Sequence, residues 1–239
     1  MVPIKYYLKR ALYTLQMYLG LFPKLYIPTY KLFGKNKRLL VNESSEIVIE
    51  GFPRSGNTFA VAALEWSQCR PLNIAHHLHS VSQIIWAFKH NIPVVVLIRE
   101  PKDAVVSFVI REPYLTPKLA LRSYISFYTA ILPLKNNLLI VTFEELTTDF
   151  GNVINKINKY YETAFSLFDH SSENVEKVFD LVQSYGVAES PTKRLDEEKV
   201  ARPSHMRNEM KVKCQNDLDF KKYNQLIIDA KKLYISLTN

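Results

Sequence analysis

The sequence predicts an α/β fold of three layers, in which a central parallel sheet is flanked by helices. Short segments rich in β-branched residues alternate with longer segments of helical character along most of the 239 residues. Residues 93–98 (PVVVLI) form an unbroken apolar run, which is typical of a strand buried on both faces of a parallel sheet. A loop containing glycine joins the first such strand to a helical segment. Together these three observations favour alternating strands and helices wound in the right-handed sense.

The first half of this domain is predicted as three strands separated by two helices. Residues 46–50 form the first strand, which ends at Gly51, and a helix runs from Asn57 until Pro71 stops it. A short strand over 72–75 precedes a helix at about 80–90, where apolar residues recur on one face. The strand at 93–98 completes this half.

The second half is predicted to be mainly helical. Pro101 suits the first position of a helix over 102–111, and Pro113 and Pro117 separate it from another that ends near Leu132. A strand over 138–143 is followed by helices at 149–161 and 172–185. Residues 186–208 lack periodicity and are predicted as a long loop, before a final amphipathic helix at about 216–237.

The N-terminal residues 1–45 are predicted to be a basic, aromatic extension of a domain that spans 46–239. The apolar stretch 11–22 is shorter than the roughly 20 residues needed to cross a bilayer. Because aromatic residues alternate with Lys5, Lys9 and Arg10, residues 1–33 could lie at the headgroup level of a membrane. They could equally pack on the domain as amphipathic helices, and the sequence leaves both interpretations open.

The net charge and the cysteine count indicate which kind of partner the protein binds and in which cellular compartment it lies. A net charge of +8 indicates an anionic partner, although nucleic acid would explain the charge without explaining the motifs below. Only two cysteines occur, Cys69 and Cys214, so the sequence predicts neither a disulfide framework nor a zinc site. We expect a cytoplasmic protein, with the inner membrane surface as a further location.

The segment Gly51–Thr58 (GFPRSGNT) has the spacing of a phosphate-binding P-loop, GxxxxGK[ST], with Asn57 in place of the lysine. Asn57 cannot supply the lysine's charge, but Arg54 lies three residues earlier and can. Its guanidinium and the amides of residues 55–58 at a helix N-terminus would bind a phosphate group. The sequence therefore predicts a P-loop-type fold with a modified loop.

A second pair of polar residues follows the strand at 93–98. Arg99 lies at the carboxyl end of that strand, where ligands bind in α/β sheets, and Ser107 is about two helical turns further on. The two can share an anion only if the helix packs back toward the strand. Otherwise Arg99 would pair with Glu100 or Asp103, and Ser107 would face solvent.

These two segments resemble motifs of the sulfotransferases. Residues 52–59 (FPRSGNTF) resemble the family's 5′-phosphosulfate loop, YPKSGTTW, and residues 99–108 (REPKDAVVSF) resemble its 3′-phosphate motif, RNPRDVVVSY. The resemblance runs from about Ile47 to the C-terminus. It implies transfer of a sulfuryl group from 3′-phosphoadenosine 5′-phosphosulfate (PAPS) to an acceptor hydroxyl, with release of PAP and without a metal.

By position, the resemblance also implies a donor site. It places Arg54, Ser55, Gly56, Asn57 and Thr58 around the 5′-phosphosulfate, Phe59 and Phe143 near the adenine, and Arg99 and Ser107 on the 3′-phosphate. Arg202-Pro-Ser204 matches the family's C-terminal RKG motif only in part, which makes Arg202 a further candidate for the 3′-phosphate.

The transfer needs a base that deprotonates the acceptor hydroxyl, and a neutral imidazole is suited to this near pH 7. Residues 75–80 (AHHLHS) supply three histidines at the end of a strand. Alignment with the family's THLP motif implies His77 as the base, with His79 as the alternative. His76 is expected to point to the other face of the sheet, because neighbouring strand residues alternate.

Two departures from the family pattern concern the leaving group and the acceptor. Arg54 replaces the family's lysine. His77 lies only 23 positions after Arg54, which leaves too little chain for the family's usual acceptor-binding segments. The acceptor pocket is therefore predicted from residues 111–117 and 186–208, where an open cleft would suit a carbohydrate or a lipid-linked glycan. Two rival functions remain: a small-molecule kinase on a P-loop scaffold, and a non-catalytic nucleotide-binding or membrane-associated accessory protein.

Overall fold

The computed structural model describes residues 3–189, 193–194, 196, 198, 201–217 and 220–239. Its four strands are β1 (Ile47–Gly51), β2 (Ile74–His76), β3 (Val94–Ile98) and β4 (Leu139–Thr142). They form one sheet in the order β2-β1-β3-β4, and every neighbouring pair is parallel. The predicted α/β class with a central parallel sheet is confirmed.

Helices occupy most of the remaining described chain. They are α1 (Ile4–Leu19), α2 (Pro23–Phe33), α3 (Asn57–Ser67), α4 (Val81–Lys89), α5 (Pro101–Arg111), α6 (Pro117–Ile131), α7 (Phe143–Thr148), α8 (Phe150–Tyr161), α9 (Ser172–Glu189), α10 (His205–Asp217) and α11 (Asn224–Thr238). Short 3-10 turns lie at Lys37–Leu39, Leu132–Asn137 and Phe220–Tyr223.

The three layers follow from the alternation of side chains along the strands. In β3, Val94, Val96 and Ile98 face a core built with α4, α5, α6 and α11, whereas Val95 and Leu97 face a second core built with α3, α8 and α9. All five residues of β3 are buried. A strand covered on both sides has no polar face, which explains the unbroken apolar run in the sequence.

Several element boundaries differ from the predicted ones. Strand β4 stops at Thr142 because its side chain and that of Glu145 form a capping box that starts α7 at Phe143. Helix α10 begins at His205, inside the segment predicted as a loop, and α9 extends into the same segment as far as Glu189. Residues 190–192, 195, 197 and 199–200 of that segment lie outside the described residues. The predicted last helix is divided, since α10 ends at Asp217 and α11 begins at Asn224.

Helices α1 and α2 pack against the rest of the chain through one face each. The Tyr13 hydroxyl donates to Ser123 Oγ over 3.0 Å, and the Arg10 side chain donates to the Tyr114 carbonyl. The Gly20 carbonyl accepts from the amide and the hydroxyl of Ser82, each over 2.8 Å. Of the helices in the described ranges, none is both long enough and apolar enough to cross a membrane.

Candidate functional site

The candidate site begins at the loop between β1 and α3. Arg54 and Gly56 have φ angles of 72° and 99°, in the left-handed region that favours glycine. A Cβ on Gly56 would also lie 2.3 Å from Leu146 Cδ2. This tight turn directs the unbonded amides of the first turn of α3 into the loop, as anion binding requires.

A cluster of cations that are partly or fully buried lies beside this loop. Arg54 Nε donates to Ser107 Oγ over 3.1 Å, and Arg99 Nη1 donates to the Arg54 carbonyl over 3.3 Å. Helix α5 therefore does pack back toward the end of β3, as a shared site for Arg99 and Ser107 requires. Arg99 Nη2 also lies 3.8 Å from Asp103 Oδ2, so Arg99 has one of the two acidic partners considered for it. Ser107 does not face solvent, because it is only 2% exposed.

Arg207 belongs to the same cluster, although the sequence analysis did not identify it. Its Nη2 donates to Ser107 Oγ over 3.2 Å, its Nη1 donates to the Glu198 carbonyl over 2.8 Å, and the residue is 3% exposed. The predicted neighbour Arg202 lines the same cleft. The sequence around Arg207 gives no sign that this arginine, rather than Arg202, is buried. Arg207 is the single buried residue among those of α10 whose burial is described, so no buried apolar pattern accompanies it.

Neighbouring cations in this cluster lower the pKa values of Arg54 and Lys211. Burial holds the pKa of Arg54 well below its usual value, and the nearby charges of Arg207, Arg111 and Arg99 lower it further. Burial, followed by Arg99 and Arg207, likewise lowers the pKa of Lys211. A bound anion would relieve both the repulsion and the lost hydration, so this arrangement favours a polyanionic ligand.

Several polar atoms around the loop are buried without a hydrogen-bond partner in the described part of the chain. They are Ser55 Oγ, Asn57 Oδ1 and Arg99 Nε. Such atoms are rare because each costs about 1–3 kcal/mol when it loses water without gaining a partner. The sequence analysis predicted all three residues for the donor site, and a ligand there would supply partners.

The histidines lie at the other side of the loop, after β2. His77 Nε2 is 3.0 Å from Thr58 Oγ1, and His77 Nδ1 contacts His76 Nδ1. His79 Nδ1 is 2.8 Å from the Gly51 carbonyl. A carbonyl oxygen only accepts, so His79 carries its proton on Nδ1 and its lone pair on Nε2.

The histidine segment is anchored by Glu50, which the sequence analysis treated only as part of a strand. The Glu50 carboxylate is fully buried and accepts from the amides of Leu78 and His79, each over 2.9 Å, and from Gln83 Nε2 over 2.7 Å. Burial raises the pKa of Glu50 to about 8, against these hydrogen bonds, which lower it. His77 and His79 adopt φ angles of 59° and 49°, so the segment turns sharply over the carboxylate.

Burial also keeps the imidazoles neutral. It lowers the pKa of His76 and of His79 to about 4, and it holds the pKa of His77 well below its usual value. Neighbouring histidines and Arg111 add to the shift of His77. A neutral ring near pH 7 is the form that can accept a proton.

The two aromatic residues predicted near the adenine have different surroundings. Phe59 is 5% exposed and packs edge-on or tilted against Phe150, Phe168 and Phe179. The guanidinium carbon of Arg99 lies 3.9 Å from the centre of the Phe143 ring, which is cation–π stacking. Phe143 thus helps to orient Arg99.

These groups open onto one cleft of about 1060 Å³. Both segments predicted for the acceptor pocket contribute to its wall, including Arg111, Tyr114 and Gly186. The N-terminal helices contribute as well, through residues such as Tyr13 and Tyr30, which the sequence analysis did not predict. Within the described ranges, no group of three or more His, Cys, Asp or Glu residues is placed to hold a metal ion.

Comparison with known proteins returns a distant structural likeness only. No family model matches the chain, and no curated protein matches it. Solved structures that match include mouse sulfotransferase SULT7A1 complexed with PAP, at 15% identity and a TM-score of 0.45. The alignment covers 89% of this chain and 93% of that chain.

Proposed function

We propose that the protein is a sulfotransferase that moves a sulfuryl group from PAPS to an acceptor hydroxyl and releases PAP. The observation that carries the proposal is the hydrogen-bonded cluster of Arg54, Arg99, Ser107 and Arg207 beside the modified loop. PAPS carries phosphate at two separate positions of its ribose. The loop amides can bind the phosphate at one position, and the adjacent arginine cluster can bind the phosphate at the other. A P-loop alone would bind only one of them.

The proposed reaction is an in-line displacement at sulfur. The acceptor oxygen forms a bond to sulfur, and the bond between sulfur and the bridging phosphate oxygen breaks, leaving its electron pair on PAP. His77 takes the acceptor's proton, since its Nε2 already lies beside Thr58 of the loop. Arg54 and the loop amides stabilise the charge that develops on the departing phosphate.

The acceptor is proposed to be a hydroxyl of a carbohydrate or a lipid-linked glycan. The cleft of about 1060 Å³ is larger than a small phenol would need. Tyr13, Tyr30 and Tyr114 line it, offering both ring faces and hydroxyl groups. Those features suit a bulky polyhydroxylated acceptor.

Nucleotide binding tests the donor half of the proposal. Calorimetry should show that PAP binds without added metal and that ATP with Mg²⁺ binds far more weakly, because Asn57 replaces the lysine of triphosphatase loops. Arg99→Ala should weaken PAP binding by at least about tenfold, as expected for loss of a charge-assisted hydrogen bond. Metal-dependent ATP binding with no PAP binding would favour the kinase instead.

Transfer itself is tested with [³⁵S]PAPS and a panel of mono-, oligo- and lipid-linked saccharides. Label should appear in at least one acceptor, and His77 and Arg54 variants should lose it. PAP binding without transfer to any acceptor would favour the accessory-protein alternative.

A further inference from the structure

The outer face of α1 is apolar and exposed along its whole length. Residues three or four apart lie on one side of a helix, and on this side the exposed fractions are 87% for Ile4, 62% for Leu8 and 65% for Leu15. Helix α2 and its flanks continue the surface. Of the large hydrophobic residues exposed in the described chain, more than half lie here: Ile4, Tyr7, Leu8, Leu12, Leu15, Tyr18, Phe22, Leu25, Leu32 and Phe33. We call these ten residues the N-terminal apolar face.

Basic residues border this face. Lys5 and Lys9 are exposed on the flank of α1, and Lys24 and Lys31 are exposed on α2. Residues 1–42 hold eight of the 31 lysines and arginines and no acidic residue, so the other 23 are matched by the 23 acidic residues that follow. The whole net charge of +8 therefore belongs to the N-terminal segment that carries the apolar face.

This combination of apolar and cationic residues favours an anionic bilayer over a second copy of the chain as the partner of the face. A second copy of the chain could cover the apolar residues, but it would bring two equally cationic segments together. An anionic bilayer accepts both features, because apolar side chains enter the acyl boundary while lysines reach the phosphates. We propose that the N-terminal apolar face docks onto an anionic phospholipid surface, with α1 lying in the plane of the interface.

The docking surface and the proposed active site share the same two helices. Tyr13, Met17 and Tyr30, on the opposite sides of α1 and α2, line the cleft. The inference does not depend on the proposed function, since lipid binding and sulfuryl transfer are measured separately.

The full chain tests the proposal in flotation experiments with vesicles of neutral phosphatidylcholine and vesicles that also contain about one-third phosphatidylglycerol. Binding should require the anionic lipid and should weaken several-fold when salt is raised from about 0.1 to 0.5 M. Leu8→Glu/Leu15→Glu should reduce partitioning by at least about tenfold. Lys5→Glu/Lys9→Glu should also reduce it.

Matched controls separate the face from general charge and folding effects. Val212→Glu/Ile235→Glu changes two residues that are 57% and 54% exposed elsewhere and alters the charge equally. Lys221→Glu/Lys222→Glu matches the lysine pair. Both controls should bind vesicles less than twofold more weakly than the wild type, and all variants should keep the wild-type circular dichroism spectrum.

Two results would overturn the proposal. One is equal binding, or no binding, of the wild type to neutral and anionic vesicles. The other is a dimer in light scattering that Leu8→Glu/Leu15→Glu converts to monomer without any change in lipid binding, which would assign the face to a second copy of the chain.

Discussion

Arg207 illustrates how single residues complete the candidate donor site. Its guanidinium and that of Arg54 both donate to Ser107 Oγ, although Arg207 is 100 positions away from that serine in the chain. Like charges so close together are unfavourable unless an anion joins them. We therefore treat Arg207, together with Arg99, as a candidate contact of the 3′-phosphate.

Arg207→Met keeps much of the buried side-chain volume and removes the charge. We expect PAP to bind about 10–100-fold more weakly in calorimetry, since a hydrogen bond to a charged group contributes about 1.5–3 kcal/mol. Arg122→Met, at an exposed position of α6, is the matched control and should keep wild-type affinity. Unchanged affinity in Arg207→Met would remove the residue from the site.

His77 and His79 compete for the role of base, and asparagine at either position separates them. Asparagine tolerates the left-handed backbone of both residues but cannot accept the proton. We expect His77→Asn to slow transfer by about 10²–10⁴-fold with PAP affinity nearly unchanged. If His79→Asn carries that loss while His77→Asn retains transfer, the base is His79, whose Nε2 lone pair is set by the Gly51 carbonyl.

At the scale of elements, the end of β2 and the turn that leads to α4 concentrate partly buried titratable groups. The Glu50 side chain accepts hydrogen bonds from the backbone amides of Leu78 and His79. The three histidines of this region are His76, His77 and His79. The carboxyl and the imidazoles shift in opposite directions because burial disfavours whichever form is charged. These opposite shifts should make the stability of the protein depend on pH, with part of that dependence arising in this segment.

The pH dependence of His79 has a defined sign. Its pKa is about 4 in the folded protein and 6.5 ordinarily, so below pH 6.5 the unfolded chain binds a proton that the folded protein does not. The stabilisation is present above pH 6.5 and is lost as the pH falls toward 4. Glu50, with its raised pKa, acts in the opposite direction as the pH rises toward 8.

His79→Asn should reduce the loss of stability that occurs as the pH falls. Between pH 7 and pH 5, the free energy of unfolding should fall by about 1–2 kcal/mol less in the variant than in the wild type, measured by urea denaturation. His205→Asn, at a side chain that is 90% exposed, is the control and should follow the wild type. Identical slopes for His79→Asn and wild type would contradict the buried, neutral state of His79.

At the scale of the whole molecule, the N-terminal helices pack against the rest of the chain, although the sequence analysis divided the protein into an extension at 1–45 and a domain at 46–239. Tyr26 of α2 is 2% exposed, and Gly20 between the helices accepts hydrogen bonds from Ser82 of α4. Apolar residues of this segment, including Tyr13, Leu21 and Ile27, pack against the core on the α4 side of the sheet. Removing the segment would expose that surface.

A chain that begins at Asn42 should accordingly be less stable than the full chain. We expect its thermal midpoint to fall by several degrees, since each 1 kcal/mol shifts the midpoint of a domain of this size by about 2–4 °C. Differential scanning calorimetry of the two chains measures the effect. An unchanged midpoint would show that residues 1–41 contribute no packing to the domain.

Much of the fold could be predicted because it is encoded by nearby residues. The burial of β3 on both faces is visible as PVVVLI, and the phosphate loop is visible as glycines at fixed spacing after a strand. Helix α10 could not be found in this way. Its described burial is limited to Arg207, so it has no apolar stripe for periodicity to detect.

The local sequence of this protein specifies the order of strands and helices and the turn at Gly56, because backbone preference and hydrophobic period act over a few residues. It also supplied Arg54 and Arg99 as candidates, whereas the choice of His77 came from the resemblance to the sulfotransferase motif. Tertiary structure alone decided that Arg207 joins Ser107, that Glu50 anchors the histidine segment, and that α1 packs by one side while its apolar side stays exposed. Those features arise where segments that are distant in sequence come into contact, and short-range sequence patterns do not encode such contacts.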